Sequence, residues 1–534
     1  MSPPPQTSAR PGLLIRLLGW RVRVALVVCC LGFGWAIAQF YHPVTGFTSL
    51  ISIGDVLSGS KVSALRGVPH YVYEGTAGYD GAYYVQLALH PTLGNPELTK
   101  AIDNLPYRAR RMLFCWIAWL LGLGQPAWIV QAHALLNVLC WFALAGVLWR
   151  WFPPTNEQNF LRWFGVMFSH GLCMSVRNSL VDGPSLLFVA VAIALWEGGQ
   201  RAPGGVVLAL VGLGKETNLL AAAAWGDGIG RKPRLWWRPA AAAIAIALPL
   251  AVWMGYIRWK FGPADDPGFG NFTLPLAGFI EKWRFAVHEV GSVGSGLSWA
   301  TLLAVVALAV QGLFFLLRWR PGDVWWRVGA AFAAMMVFLS TPVWEGFPGA
   351  ATRVLLPMTL AFNVLVPRGR RWLPVLLAGN LTVMASFFEF SPPQEFFLVR
   401  GDPALRAAVH VAPVNGWHAP EGLRGNRWRW SRERSELRIV NGALQPVTLA
   451  VRGRASSASD RRGLRISSGE RVVWSGDIGR APAEIRFRFE LPPGETVLVF
   501  TNDKPAEKIG TDPRELAFMV SNLEIVVEPA AAPR

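Results

Sequence analysis

Long apolar runs separated by short basic loops fill the chain as far as about residue 390, and strict alternation of apolar and polar positions takes over beyond it. Val22–Phe40 and Ala127–Trp149 are each long enough for a helix to cross a bilayer core, which takes ~20 residues. Met112–Leu123 is apolar but short and ends at Gly122-Leu123-Gly124, the pattern of a helix lying in the membrane interface. Four shorter apolar pieces follow, at 161–176, 184–197, 204–214 and 216–226, interrupted by Arg177, Asp182, Lys215 and Glu216. They predict two helical hairpins with charged tips. Further spans are expected at 238–258, 299–317, 327–343, 353–367 and 372–390, which makes about eleven in all.

Charge orients these spans. Residues 1–21 are polar and carry Arg10, Arg16 and Arg21, so the N-terminus is expected in the cytoplasm. Ala36-Ile37-Ala38 also has the form of a signal-peptidase site, but the apolar stretch before it is long for a signal peptide. With eleven spans, Arg150, Arg162, Arg201, Arg231, Lys232, Arg234, Arg318, Arg320, Arg368, Arg370 and Arg371 all fall on the cytoplasmic side. The mostly polar loop 41–111 and everything after residue 390 then fall on the far side.

The segment 391–534 follows Ser391-Pro392-Pro393 and is of another kind. Period-two runs appear at 436–440, 447–451, 484–489, 497–500 and 523–527, with Gly, Pro, Asn and Asp between them. This predicts an antiparallel β-sandwich or jelly roll. Trp417, Trp428, Trp430 and Trp474 either fill its core or offer faces for sugar rings.

Composition agrees with a polytopic α-helical membrane protein bearing an extracytoplasmic β-domain. The 534 residues are 52% hydrophobic and only 16% charged, less charge than a soluble protein of this length carries. Of the net charge of +17, 391–534 holds 21 Lys and Arg against 17 Asp and Glu. The excess therefore lies mostly in the membrane half, where it suits topology and anionic lipid rather than nucleic acid. All five cysteines sit in apolar segments without a CxxC pair, so neither a disulfide framework nor a structural zinc site is expected.

Ionisable groups at membrane depth are costly and mark functional cavities. Five such clusters fall on the far side: Asp80 within Gly78-Tyr79-Asp80-Gly81-Ala82-Tyr83-Tyr84; Arg108, Arg110 and Arg111 after Tyr107; Arg177 with Asp182; Lys215 with Glu216; and Arg353. Plain structural roles are available to several of them. Asp80 beside Gly81 suits an Asx turn, Asp182 a helix N-cap, and Lys215 with Glu216 an internal ion pair. Arg353 opens a helix, where the macrodipole disfavours a cation, and this points to an anionic partner.

These strings resemble the GT-C superfamily of polytopic glycosyltransferases, in particular its GPI-mannosyltransferase and related bacterial branches. Tyr79-Asp80-Gly81 with Tyr84 is similar to their (W/Y)D(G/S)xxY string, and Tyr107-Arg108 with Arg111 to their YR..R stretch. Val181-Asp182-Gly183-Pro184 resembles a D-x-P hairpin tip, Lys215-Glu216-Thr217 an (R/K)E(T/S) element, and Arg353-Val354-Leu355-Leu356-Pro357 a late R-(Y/V)-L-x-P element. Lys215 stands where related bacterial chains often carry Arg. The resemblance covers about residues 20–390.

It implies an inverting enzyme that moves a sugar from a polyprenyl-phosphate-linked donor to a hydroxyl of a lipid, glycan or protein acceptor. Asp80 would be the catalytic base. Tyr84, Arg108, Arg111, Arg177, Asp182, Lys215, Glu216 and Arg353 would bind the donor phosphate and substrate. No paired acids flank Asp80, so no metal or other cofactor is expected. The expected location is a bacterial inner membrane, with the β-domain in the periplasm. The competing class is a lipid-linked-glycan transporter or flippase, but the internal repeat usual in transporters is missing from the sequence.

Overall fold

The computed structural model describes residues 13–42, 45–54, 60–73, 76–226, 237–262, 268–393, 398–401, 405, 408–423, 426–510 and 512–530. Arg10 and the basic run Arg231, Lys232 and Arg234 lie outside the described residues. The chain divides into two compact units, Met1–Tyr41 with Phe47–Ser391, and His42–Gly46 with Pro392–Arg534.

Among the described residues of the first unit, four helices are long and apolar enough to cross a membrane: Gly19–Ala38, Pro126–Arg150, Trp237–Phe261 and Gly296–Leu317. The other expected spans are shorter or broken. The apolar run 161–176 divides into Glu157–Met167 and His170–Arg177. The run 216–226 is a 3₁₀ helix, Glu216–Trp225. Leu356–Leu365 carries Pro357 in its first turn, and 372–390 breaks into Leu373–Gly379 and Val383–Ser386. A ten-residue helix rises ~15 Å, half the ~30 Å of a hydrocarbon core.

Interrupted backbone away from water needs partners from the protein. Buried Arg162 donates to the carbonyls of Asn363, Val366 and Pro367, which closes the end of Leu356–Leu365. Arg327 does the same for Ala223 and Ala224. Gln311 donates to Gly379 O while accepting from Thr359 Oγ1, and Asn363 and Asn380 pair through their amides. Arg162 thus caps a helix inside the unit instead of serving as a solvated loop charge.

The expected polar loop 41–111 holds short helices, among them the nine-residue Gly81–Leu89. Tyr84, Val85, Leu87 and Ala88 of that helix are buried. Leu113–Leu121 follows as a short apolar helix, and its main-chain start is tied to Leu213 O through Leu113 N–H.

In the second unit, a six-stranded sheet runs Trp417–Leu423, Asn426–Ser431, Phe518–Pro529, Val447–Ser457, Ala483–Leu491, with Leu398–Gly401 added parallel to Phe518–Pro529. A five-stranded sheet runs Val409–Pro413, Arg434–Asn441, Gly494–Asn502, Arg462–Ser468, Arg471–Ile478. All five alternating runs in the sequence lie within these strands. Their buried positions, including Ile439, Leu449, Phe487, Leu498, Phe500 and Ile525, form one core between the two sheets. Trp417 packs on Phe500 and Phe518 and bonds Glu436 O, and Trp474 packs against the same core. Trp428 and Trp430 are half-buried, two residues apart on the face opposite buried Arg429 and Ser431.

Candidate active site

Asp80 ends an irregular stretch and precedes Gly81–Leu89. Gly81 is forced by space. A Cβ there would sit 2.1 Å from Asn178 O and 2.8 Å from Ile51 O, so the first loop lies directly on the tip of the His170–Arg177 helix. That contact brings Asp80 to the level of Asp182, which opens the helix Asp182–Glu197, and of Lys215, which precedes Glu216–Trp225.

The acids and bases then join in a chain. Arg108 Nη1 lies 2.9 Å from Asp80 Oδ1, and Arg353 Nη2 lies 3.3 Å from Asp80 Oδ2. The other arm of Arg353, Nη1, reaches Asp182 Oδ2 at 3.2 Å. Lys215 Nζ pairs with Asp182 Oδ1. Arg108 also grips Asp103 with two bonds, at 3.1 and 2.8 Å. Arg111 forms a two-pronged pair with Glu216, at 2.9 and 2.6 Å, and donates to the hydroxyls of Tyr84 and Tyr107, both at 2.9 Å. Tyr83 lies under Arg108 and Tyr79 under Arg353. Residues spread from 80 to 353 in sequence therefore meet in one place, with four carboxylates facing four cations.

Desolvation decides what such a cluster is worth. Asp182 and Lys215 are buried, while the Asp80 side chain keeps about a fifth of its surface exposed. Burial alone would raise the Asp80 carboxyl, but Arg353, Arg108 and Arg111 outweigh it and hold the group below the usual carboxylate range. Burial raises the Tyr79 phenol, Arg353 opposes that, and the charges of Asp80, Asp182 and Glu389 add to it. Polar atoms remain available around the cluster. Among the described residues, Arg353 Nε, Ser185 Oγ, Thr217 Oγ1 and Asn218 Nδ2 are buried without a hydrogen-bond partner.

Arg177 is turned elsewhere. Its guanidinium donates to Ser49 O, Ser52 Oγ and Tyr73 OH, and packs on the rings of Phe40 and Tyr73. It fastens the first loop to the helix tip, and no contact among the described residues joins it to Asp80 or Asp182. Arg110 lies over the Tyr107 ring.

Beside Arg353 the fold also brings together three residues with no motif to announce them. His170 Nδ1 is 2.8 Å from Thr352 Oγ1, and His170 Nε2 is 3.0 Å from Glu389 Oε1. The sequence signal available for them was a lone His and a lone Glu within apolar runs.

No group of three or more His, Cys, Asp or Glu side chains arranged for a metal ion occurs among the described residues. No protein-family model matches the chain, and no curated protein sequence matches it. Among solved structures, the arabinosyltransferase EmbB from Mycobacterium smegmatis is similar at 12% sequence identity and a TM-score of 0.32, over 97% of this chain and 66% of that one. The chain thus spans just under two thirds of the length of the protein it matches.

Proposed function

We propose that this chain is a membrane-embedded inverting glycosyltransferase, taking a sugar from a polyprenyl phosphate and placing it on an acceptor hydroxyl at the extracytoplasmic face. The observation that carries the reading is the ion-paired chain Arg108, Asp80, Arg353, Asp182, Lys215, with Arg111 and Glu216 alongside. A carboxylate within reach of several cations is what this transfer requires. Helices long and apolar enough to cross a bilayer provide the setting for a lipid-linked donor.

In this mechanism Asp80 takes the proton from the acceptor hydroxyl as a general base. The hydroxyl oxygen attacks the anomeric carbon opposite the phosphate. The bond from that carbon to the phosphate oxygen breaks, and its electron pair stays on the phosphate. Arg353, Lys215 and Arg108 stabilise the charge that builds there in a partly desolvated site. Tyr84 and Glu216 hold Arg111 in place, and Asp182 holds Lys215 and one arm of Arg353.

Before the donor arrives the site is neutralised internally. A phosphodiester must therefore draw Arg353 or Arg108 away from Asp80. The same movement removes the cations that keep Asp80 weakly basic, so seating the donor prepares the base. The acceptor is a glycan, lipid or protein hydroxyl, and a bacterial inner membrane with the β-unit in the periplasm suits the loop charges.

The test is transfer by the full chain in lipid nanodiscs, using labelled sugars on C55 polyprenyl phosphate and alkyl glycosides as acceptors. Wild type transfers and Asp80→Asn does not. Turnover by folded Asp80→Asn near the wild-type rate removes Asp80 from the reaction and the reading with it.

A further inference from the structure

Glu389 differs from every carboxylate in the ion-paired chain. Asp80, Asp182 and Glu216 each face Arg or Lys, whereas the ion-pair partner of Glu389 among the described residues is His170 alone. His170 is almost wholly buried, yet the Glu389 side chain stays 17% exposed.

Hydrogen inventory shows how firmly the carboxyl is held. Thr352 has one hydroxyl hydrogen, and it goes to Gly349 O at 3.0 Å, because a carbonyl can only accept. Thr352 Oγ1 therefore accepts from His170 Nδ1–H, and Nε2 and Glu389 Oε1 hold one further hydrogen between them. The ring is braced from its own helix too. A Cβ on Gly171 would lie 2.3 Å from Thr352 O and 2.7 Å from the Cα of Arg353, so the helix start presses on the backbone that carries Arg353. Glu389 Oε1 is spent in this relay. Oε2 has no partner among the described residues.

The charge of Glu389 reaches the phenol of Tyr79, whose ring lies under Arg353. Asp80 and Asp182 reach the same phenol. Lys215 pairs with Asp182, and Glu216 with Arg111. Among the described residues, guanidinium and ammonium groups, which hold phosphate, pair with the other carboxylates of the site and not with Glu389. A fixed carboxylate oxygen does, however, accept hydrogen bonds from hydroxyls, the groups a sugar offers in pairs.

We propose that Glu389, positioned by His170, binds a hydroxyl of the acceptor saccharide and marks the acceptor side of the site. The identity of the ligand rests on the transferase reading above. Glu389 touches the acceptor; His170 is a positioning residue that acts through it.

Two measurements on the full chain in nanodiscs test this: equilibrium binding of alkyl glycosides, followed by saturation-transfer NMR, and transfer kinetics from C55 polyprenyl phosphate sugars. Glu389→Gln is expected to weaken glycoside binding and raise the acceptor KM about tenfold or more. The affinity for C55 polyprenyl phosphate, the rate of donor hydrolysis by water and the thermal unfolding midpoint should stay unchanged. His170→Gln, whose amide still donates to Glu389, should fall between the two. If Glu389→Gln does not fold, Glu389→Asp, which withdraws the oxygen by about one bond length, is expected to show the same rise.

Unchanged glycoside affinity and acceptor KM overturn the proposal. So does an equal loss of polyprenyl phosphate binding, which a merely structural role produces. If wild type transfers from none of the donors, the transferase reading fails, and the glycoside-binding arm still decides Glu389.

Discussion

The two units use charge in opposite ways. Around Asp80 in the helical unit the pairs are interlocked and withdrawn from water, and Arg353 and Asp182 keep 13% and 1% of their side-chain surface. In the β-unit they are mostly single and solvated, as with Arg461 and Asp477 at 78% and 56%. A solvated pair contributes roughly 0–1 kcal/mol, because water competes for both ions and salt screens them. A desolvated pair is no better as net stabilisation, yet removing one partner strands the other at a cost of about 3–5 kcal/mol. Burial therefore turns an ordinary ion pair into a device whose parts cannot be changed singly. The helical unit concentrates that device at Asp80, while the β-unit spreads its charges over its surface.

The sharpest break of this contrast is Asp80→Asn. In the proposed mechanism this removes the general base, and turnover should fall by about 10²–10⁴-fold. The self-neutralised site adds an effect of the opposite sign. With one carboxylate gone, Arg108 and Arg353 are freed for phosphate, so C55 polyprenyl phosphate should bind more tightly to the variant, as read by its dissociation constant. Unchanged or weaker binding would falsify the competition between Asp80 and the donor. The pH dependence follows from the same pairs. Asp80 titrates lower in the folded chain than in the unfolded one. Its contribution to stability is therefore complete above the ordinary carboxylate pKa and is lost as pH falls through the lowered folded value. Thermal unfolding followed from pH 7 into acid should show a decline that Asp80→Asn flattens.

Arg353→Ala comes next. It leaves Asp182 with Lys215 alone and Asp80 with Arg108 alone. Loss of a desolvated, hydrogen-bonded cation should weaken C55 polyprenyl phosphate binding roughly 30-fold or more. Affinity within a factor of two of wild type would free Arg353 from any part in holding phosphate.

Sequence reading went furthest where chemistry is expensive. Asp80, Arg108, Arg111, Asp182, Lys215, Glu216 and Arg353 stand out because charge at the end of an apolar run demands a partner, and the fold joins all seven. Arg177 carries the same signal but spends it on Ser49, Ser52 and Tyr73, since a demand for partners does not say which partners. Helix ends were poorly legible. An apolar run marks burial without fixing where hydrogen bonding stops, and the breaks after Leu365 and near Asn380 are served by distant donors, Arg162 and Gln311. The His170 and Glu389 contact spans 219 positions, and nothing local to either residue announces the other. Alternation in the β-unit was legible because each strand has one face in the core and one outside it.

One arginine in the β-unit crosses the divide and sharpens it. Arg462 is fully buried and donates to Ser457 Oγ, Lys504 O, Pro505 O and Glu507 Oε1, tying two strand connections together. Arg462→Ala should cost about 2–3 kcal/mol, because the carbonyls it serves lose charge-assisted bonds. Thermal unfolding should register this loss while turnover per folded molecule stays at the wild-type level. A fall in turnover greater than the fall in folded protein would tie the β-unit to the chemistry.

The smallest effect belongs to the most exposed pair. Arg461 Nη2 and Asp477 Oδ2 stand 2.7 Å apart, as close as the pairs around Asp80, so distance alone would rank them as equals. Solvation says otherwise. Both side chains are mostly in water, and each regains hydration when its partner goes. Arg461→Ala and Asp477→Ala, singly and together, should each shift stability by no more than ~0.5 kcal/mol. The coupling between them, from the double-mutant cycle, should shrink further in 1 M salt, where the screening length is ~3 Å. A coupling of ~2 kcal/mol that survives such salt would mean that exposure does not separate structural charge from functional charge in this chain. The ranking of Asp80 and its partners above every surface pair would then lose its physical basis.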